Sequence, residues 1–154
     1  MKVDTQPLVL MHEFRQVAAH QHEAGGIMMG RHLLACDDAV IDEVTCPLPG
    51  DQRGRLTFYR DAKRHQAVID ARWARSHGTC LYLGEWHTHP EPWPTPSRVD
   101  THDWLRRLNE VSFDGESLFF LIVGTQGVKA WEGLRHSRRI VPLPRWQPPA
   151  HAYP

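Results

Sequence analysis

Four prolines at alternating positions, Pro90, Pro92, Pro94 and Pro96, constrain this chain more than any other feature. Each lacks a backbone N–H and fixes its own φ, so neither a helix nor a central strand can pass through them. The residues before them, Thr79 to His87 (T-C-L-Y-L-G-E-W-H), alternate and are aliphatic and aromatic. They are the strongest strand signal in the sequence. After them comes S-R-V-D, in which Ser97 is an N-cap residue type and Asp100 stands at the third helical position of a capping-box-like start. The stretch therefore predicts a strand, a stiff extended loop and a helix running to about Asn109.

The same stretch carries chemistry. Side chains alternate faces along a strand, so His87 and His89 point the same way. The loop carries the chain back so that the carboxylate of Asp100 can join them. Two imidazoles and a carboxylate form a ligand set for catalytic zinc, with a fourth position open for water. Such an ion lowers the pKa of water and polarises a carbonyl. Hydrolysis also needs a base, and a donor for the developing oxyanion. Ser97, one turn before Asp100, suits the donor. Two glutamates are candidates for the base: Glu85, on the strand face of the histidines, and Glu23, beside Gly25-Gly26. Local spacing leaves that choice open. A His-x-His alone is more often structural than metal-binding, and Ser97 with Asp100 is compatible with a plain helix cap; the four together at these offsets favour zinc. On strict alternation Tyr82 and Trp86 face away from the histidines into the core. Trp93, in the exposed proline loop, is a candidate for lining a substrate groove, and Glu91 reads as solvated.

The remaining elements follow from periodicity. Pro7 to Met11 reads as a short strand, and His12 to His22 as a helix stopped by Gly25-Gly26. Gly26–Leu34 and Ala39–Cys46 read as strands, Pro47–Arg55 as a loop, Leu56–Tyr59 as a brief strand and Asp61–Ser76 as a helix. Ser117–Val123 is a buried strand with Gly127–Trp131 as its hairpin partner. Strands and helices interleave, which gives an α/β or α+β class in three layers. The 154 residues suit one domain, here 1–133, followed by a proline-rich extended tail, 134–154. A formal net charge of zero gives no global attraction to nucleic acid or an anionic membrane. Cys36, Cys46 and Cys80 form no C-x-x-C, and the N-terminus lacks a signal-peptide apolar region, so the expected location is the cytoplasm.

The run H-T-H-P-E-P-W-P-T-P-S-R-V-D resembles the JAMM (JAB/MPN) zinc metalloprotease signature: His-x-His, seven residues, Ser, two residues, Asp. Its positions are filled by His87, His89, Ser97 and Asp100. In that family a glutamate far upstream, just before Gly-Gly and a strand, is the general acid/base. H-E-A-G-G-I-M-M-G is similar to that element, so the resemblance assigns the role to Glu23. It spans roughly Leu8 to Trp131. It implies a cytidine-deaminase-like three-layer sandwich, a mixed central sheet with helices on both faces, and Zn²⁺ on His87, His89 and Asp100. Glu85 departs from the eukaryotic pattern, which usually has an apolar residue there. A narrower likeness, in Y-L-G-E-W-H-T-H-P-E, P-T-P-S, D-W and W-A-R-S-H-G, is to stand-alone bacterial members such as the deconjugating peptidases of CBASS anti-phage operons. That subgroup implies a protein substrate: a cGAS-like nucleotidyltransferase conjugated through its C-terminus. Other implied possibilities are processing of a ubiquitin-like or sulfur-carrier protein, and a module that binds a modifier without cleaving it.

Overall fold

The computed structural model describes residues 1–34, 36, 38–144 and 146. Its centre is the pairing of β2 (Gly25–His32) with β6 (Leu81–Thr88). The two run antiparallel, with Gly25 opposite His87 and Gly26 opposite Trp86. Around them lie β1 (Lys2–Val3), β3 (Ala39–Val44), β7 (Ser117–Val123), β8 (Val128–Leu134) and β9 (Arg139–Pro142). The seven-stranded sheet has the order β1-β3-β2-β6-β7-β8-β9. It is mixed: β1–β3 and β6–β7 are parallel, and the other neighbours antiparallel. A separate hairpin joins β4 (Gln52–Arg53) to β5 (Phe58–Tyr59).

Helices cover both faces. α1 (Thr5–Glu13) sends Leu8 and Met11 into a core with Met28, Ile41, Leu83, Trp86, Phe119 and Leu121. α3 (Arg98–Glu110) sends Trp104 and Leu108 into a second core with Ile27, Tyr82, Phe120, Ile122 and Trp131. α2 (Ala62–Arg75) adds Val68 and Ile69 to the second core. β7 feeds both cores by alternation, Phe119 and Leu121 one way, Phe120 and Ile122 the other. The Trp104 and Phe120 rings stack at 4.7 Å, burying large apolar area on the face that carries the site. The fold class expected from the sequence, a mixed sheet between helices, is the one observed.

The N-terminal expectation is corrected. Pro7–Met11 is not a strand, and His12–His22 is not a helix; the helix spans Thr5–Glu13. Pro7 lies in its first turn, where a missing N–H costs nothing. Leu8, Met11 and His12 are the buried i, i+3, i+4 set. Gly25-Gly26 do not stop a helix but open β2, because a Cβ on Gly26 would lie 2.0 Å from the Thr45 carbonyl oxygen. At the other end the sheet continues past Gly133. β9 pairs Arg139 with Leu134 and Ile140 with Gly133, so these tail residues form an edge strand of the same sheet. Arg145 and residues 147–154 lie outside the described residues.

One irregularity matters for the site. Met28 pairs with Gly84 but Met29 pairs with Tyr82, so Leu83 is an extra residue in β6. This β-bulge shifts the side-chain phase by one position. Gly84 makes it possible, with φ 143° and no room for a Cβ, which would lie 1.8 Å from the Phe119 carbonyl oxygen. Trp86 faces away from the histidines as expected, but Tyr82 is on their side of the sheet and donates to Glu85 at 3.1 Å. Strict alternation, which put Tyr82 with Trp86, fails at the bulge.

Candidate metal centre

The site starts from a helix cap. Ser97 Oγ accepts the Asp100 N–H at 3.1 Å, and Asp100 Oδ2 accepts the Ser97 N–H at 2.6 Å, a complete capping box. The box holds the Asp100 carboxylate at the N-terminus of α3. From there its oxygens lie 3.3 Å from His87 Nε2 and 3.4 Å from His89 Nε2. The two Nε2 atoms are 3.1 Å apart. Donors about 2.0–2.1 Å from a tetrahedral zinc are separated by about 3.3 Å, so all three spacings fit such an ion.

Glu23 arrives by register. Thr88 N donates to Ala24 O at 2.8 Å and Thr88 Oγ1 accepts from Ala24 N at 3.0 Å, which continues the β2–β6 pairing past Gly25. One step further, Glu23 faces His89, with its Oε1 3.5 Å from Nε2. Arg53 Nε grips the Glu23 carbonyl at 2.8 Å, and the Glu23 N–H donates to Gly54 O at 2.7 Å. The β4–β5 hairpin thus pins the residue that the register delivers.

The two carboxylates of the centre are electrostatic opposites. Burial pushes the Glu23 carboxyl up to about 7; His87 and His89 pull it down and Asp100 pushes it further up. Burial also pushes Asp100 up, but its hydrogen bonds with His87 and His89 outweigh that and hold it well below the usual carboxylate range. For His89, burial lowers the pKa, and the Asp100 bond with the charges of Asp100, Glu23 and Glu91 raises it on balance. Ligand atoms of Glu23, His87 and His89 lie within 4.8 Å of one another, so Glu23 also satisfies a donor geometry. Asp100 is the better ligand on physical grounds, since it contacts both imidazoles and stays ionised. In a second group of donors, Asp42, Glu43 and Cys80, both carboxylates are already ion-paired, with Arg31 and Arg72.

The centre opens into a cleft of about 530 Å³, walled by Leu56–Arg60 on one side and by Val99, Asp103, Trp104, Arg106 and Arg107 of α3 on the other. Trp93 does not line it: its ring lies over Gly127 in the β7–β8 turn, and the adjoining loop carbonyls of Glu91 and Pro92 accept the Thr125 and Gln126 N–H groups. Glu91 is held rather than freely solvated, accepting Thr95 N at 2.9 Å, with its other oxygen 4.0 Å from His89 Nδ1. Glu85 points into the cleft but is occupied. Its Oε1 meets Arg60 Nη2 at 2.5 Å, Arg107 Nε at 3.1 Å and the Tyr82 hydroxyl. Arg60 and Arg107 were missed in the sequence. Arg107 was recoverable, seven residues after Asp100 on one helix face, but nothing near Arg60 signals its partner.

Residues 8–136 match the family described as prokaryotic homologs of the JAB domain. A Vibrio cholerae protein named CD-NTase/cGAS isopeptidase is 39% identical over 115 residues, covering 72% of this chain and 67% of that protein. One of the same name from Pseudomonas aeruginosa is 41% identical over 106 residues, 66% of this chain and 63% of the relative. Another, from Escherichia coli, is 32% identical over 127 residues, 80% and 74%. Among solved structures, a Desulfitobacterium hafniense protein superposes with a TM-score of 0.63 at 20% identity, over 99% of this chain and 98% of that one. A Salinibacter ruber protein gives 0.53 at 19%, over 98% and 94%. The two solved structures speak for the fold alone. With the family match spanning nearly the whole sheet and both walls of the cleft, the chain belongs to the prokaryotic JAB-domain family.

Proposed function

We propose that this chain is a zinc-dependent isopeptidase that cleaves the amide bond after the C-terminus of a conjugated protein, a cGAS-like nucleotidyltransferase in CBASS anti-phage defence. The observation that carries the reading is the convergence of Glu23 on the His87–His89–Asp100 cluster at the floor of an open cleft. The names of the relatives supply the substrate class.

His87, His89 and Asp100 would hold the ion. Zinc supplies a Lewis acid that polarises the scissile carbonyl and brings the pKa of water toward neutrality. Glu23 is the general base. Its raised pKa suits it to take a proton from water near neutral pH and pass it to the leaving amine. Ser97 Oγ already accepts the Asp100 N–H, which leaves its own proton free to donate to the oxyanion. Two carboxylates driven apart in pKa by their surroundings divide the work between ligand and base. The substrate tail enters extended between the β4–β5 hairpin and α3, a mode in which main-chain hydrogen bonds supply affinity.

The test uses a nucleotidyltransferase joined through its C-terminal residue to a lysine of a reporter protein. The zinc-loaded chain releases both partners at their intact masses, and a chelator stops it. Absence of stoichiometric zinc together with indifference to chelator sinks the enzyme reading. Tight binding of the conjugate without cleavage turns the protein into a recognition module.

A further inference from the structure

A second cavity, of about 150 Å³, lies behind the arginine end of the cleft. It shares Arg60 and Arg107 with the cleft, and no carboxylate lines it. Both guanidinium side chains are largely withdrawn from water, with 12% and 26% of their surface exposed. Glu85 meets both guanidiniums with a single carboxylate, so these three side chains together carry one excess positive charge. Arg60 Nε is buried without a hydrogen-bond acceptor among the described residues, while Arg107 Nε has the shared Glu85 Oε1 at 3.1 Å. Gln66 and Ser112 add neutral polar groups to the cavity wall, and Ile27 and Ile69 add apolar ones. A withdrawn positive charge without its own counter-ion is costly. In a cleft it also concentrates anions. The planar fork of arginine matches a carboxylate in two-point contact.

We propose that Arg60 and Arg107 form a carboxylate subsite that reads an acidic group of the substrate beside the scissile bond. Glu85 bridges the two guanidiniums through one oxygen and competes with the incoming carboxylate for them. The volume behind the pair admits one short side chain or a chain terminus. The carboxylate comes either from an Asp or Glu side chain or from a free α-carboxyl group. The inference rests on the proposed isopeptidase reading.

Glutarate, with neutral glutaramide as control, is titrated into the zinc-loaded full chain by calorimetry. Glutarate binds saturably; Arg60→Gln and Arg107→Gln each weaken it at least tenfold; Glu85→Gln, which removes the competitor, tightens it several-fold. The Glu85→Gln arm has the opposite sign, so it decides the matter even where an arginine variant folds poorly. Equal binding in all four proteins places glutarate on the zinc and overturns the subsite. A second arm compares conjugates bearing Asp or Glu against Asn or Gln near the cleaved bond, and leaving groups with free or amidated C-termini. One of these changes lowers kcat/KM at least tenfold in the wild type and not in Arg60→Gln. Cleavage indifferent to every such change overturns the role in specificity while the isopeptidase reading stands. Arginine-dependent glutarate binding with no conjugate cleaved leaves the subsite standing and removes the isopeptidase reading.

Discussion

The cleft has two ends, and each holds a glutamate treated in the opposite way: Glu23 is buried and Glu85 half-buried. At the histidine end the Glu23 carboxylate meets His89 but no Lys or Arg side chain among the described residues, and burial lifts its carboxyl toward neutrality. At the arginine end Glu85 takes two guanidiniums and a phenol on one oxygen. The same functional group is left to titrate near neutrality in one setting and is a fixed counter-ion in the other. The comparison teaches that proximity to the histidines does not choose the base. Glu85 is two residues from His87 in sequence, yet its charge is committed elsewhere; Glu23 is remote in sequence and uncommitted in space.

The largest expected effect breaks the comparison outright. Glu23→Ala lowers kcat/KM by about 10³-fold while keeping zinc, measured by conjugate cleavage and metal analysis of the same sample. Glu85→Ala leaves measurable turnover. A reversal of these two results exchanges the roles of the glutamates. Next, Asp100→Ala weakens zinc by more than the ~10–100-fold typical of losing an outer-shell partner, because it removes a ligand. Competition with a zinc chelator reads this directly.

A third test sharpens the contrast in stability. The Glu23 carboxyl is raised when folded, so its stabilising contribution is full below about 4.5 and is lost as pH rises through about 7. The metal-free Glu23→Gln chain is therefore more stable than wild type at pH 8, by up to about 3 kcal/mol, and the gap closes toward pH 4. Denaturant melts at the two pH values check the sign. A gap that persists at pH 4 contradicts the electrostatic origin. Gly84→Ala tests the bulge that aims the strand: backbone strain of about 1–3 kcal/mol plus a clash with Phe119 O lowers the Tm by several degrees. The smallest effect is at Trp93, whose ring covers Gly127 rather than the cleft. Trp93→Ala lowers the Tm slightly and leaves KM within about twofold, since a surface change away from the site costs little.

What was legible in the sequence was local. The strand, the proline loop and the capping box of Ser97 and Asp100 sit within a short span, and each has a spacing rule. The helix Ala62–Arg75 was legible for the same reason, with Asp61 as its N-cap. What escaped depended on partners distant along the chain. The residues alone could not choose Glu23, because its approach is set by the antiparallel register Gly25–His87, and the family resemblance made that choice. Tyr82 was placed on the wrong face because the bulge exists only when β2 and β6 pair. The first helix was missed because Pro7 within a short apolar run resembles a strand edge, and because the following histidines carry a helical spacing with no partner to bury it. Arg60 was invisible because a guanidinium in a loop carries no spacing signal.

The capping box has an evolutionary consequence. The atoms that start α3 are also those that hold the proposed metal ligand Asp100 against His87. Replacing Asp100 with Asn keeps an oxygen for the Ser97 N–H, so the helix start survives while the anionic ligand is gone. A single codon change thus separates heritable shape from heritable chemistry. A lineage can silence the enzyme without dismantling the scaffold, and retain a folded receptor for the same substrate.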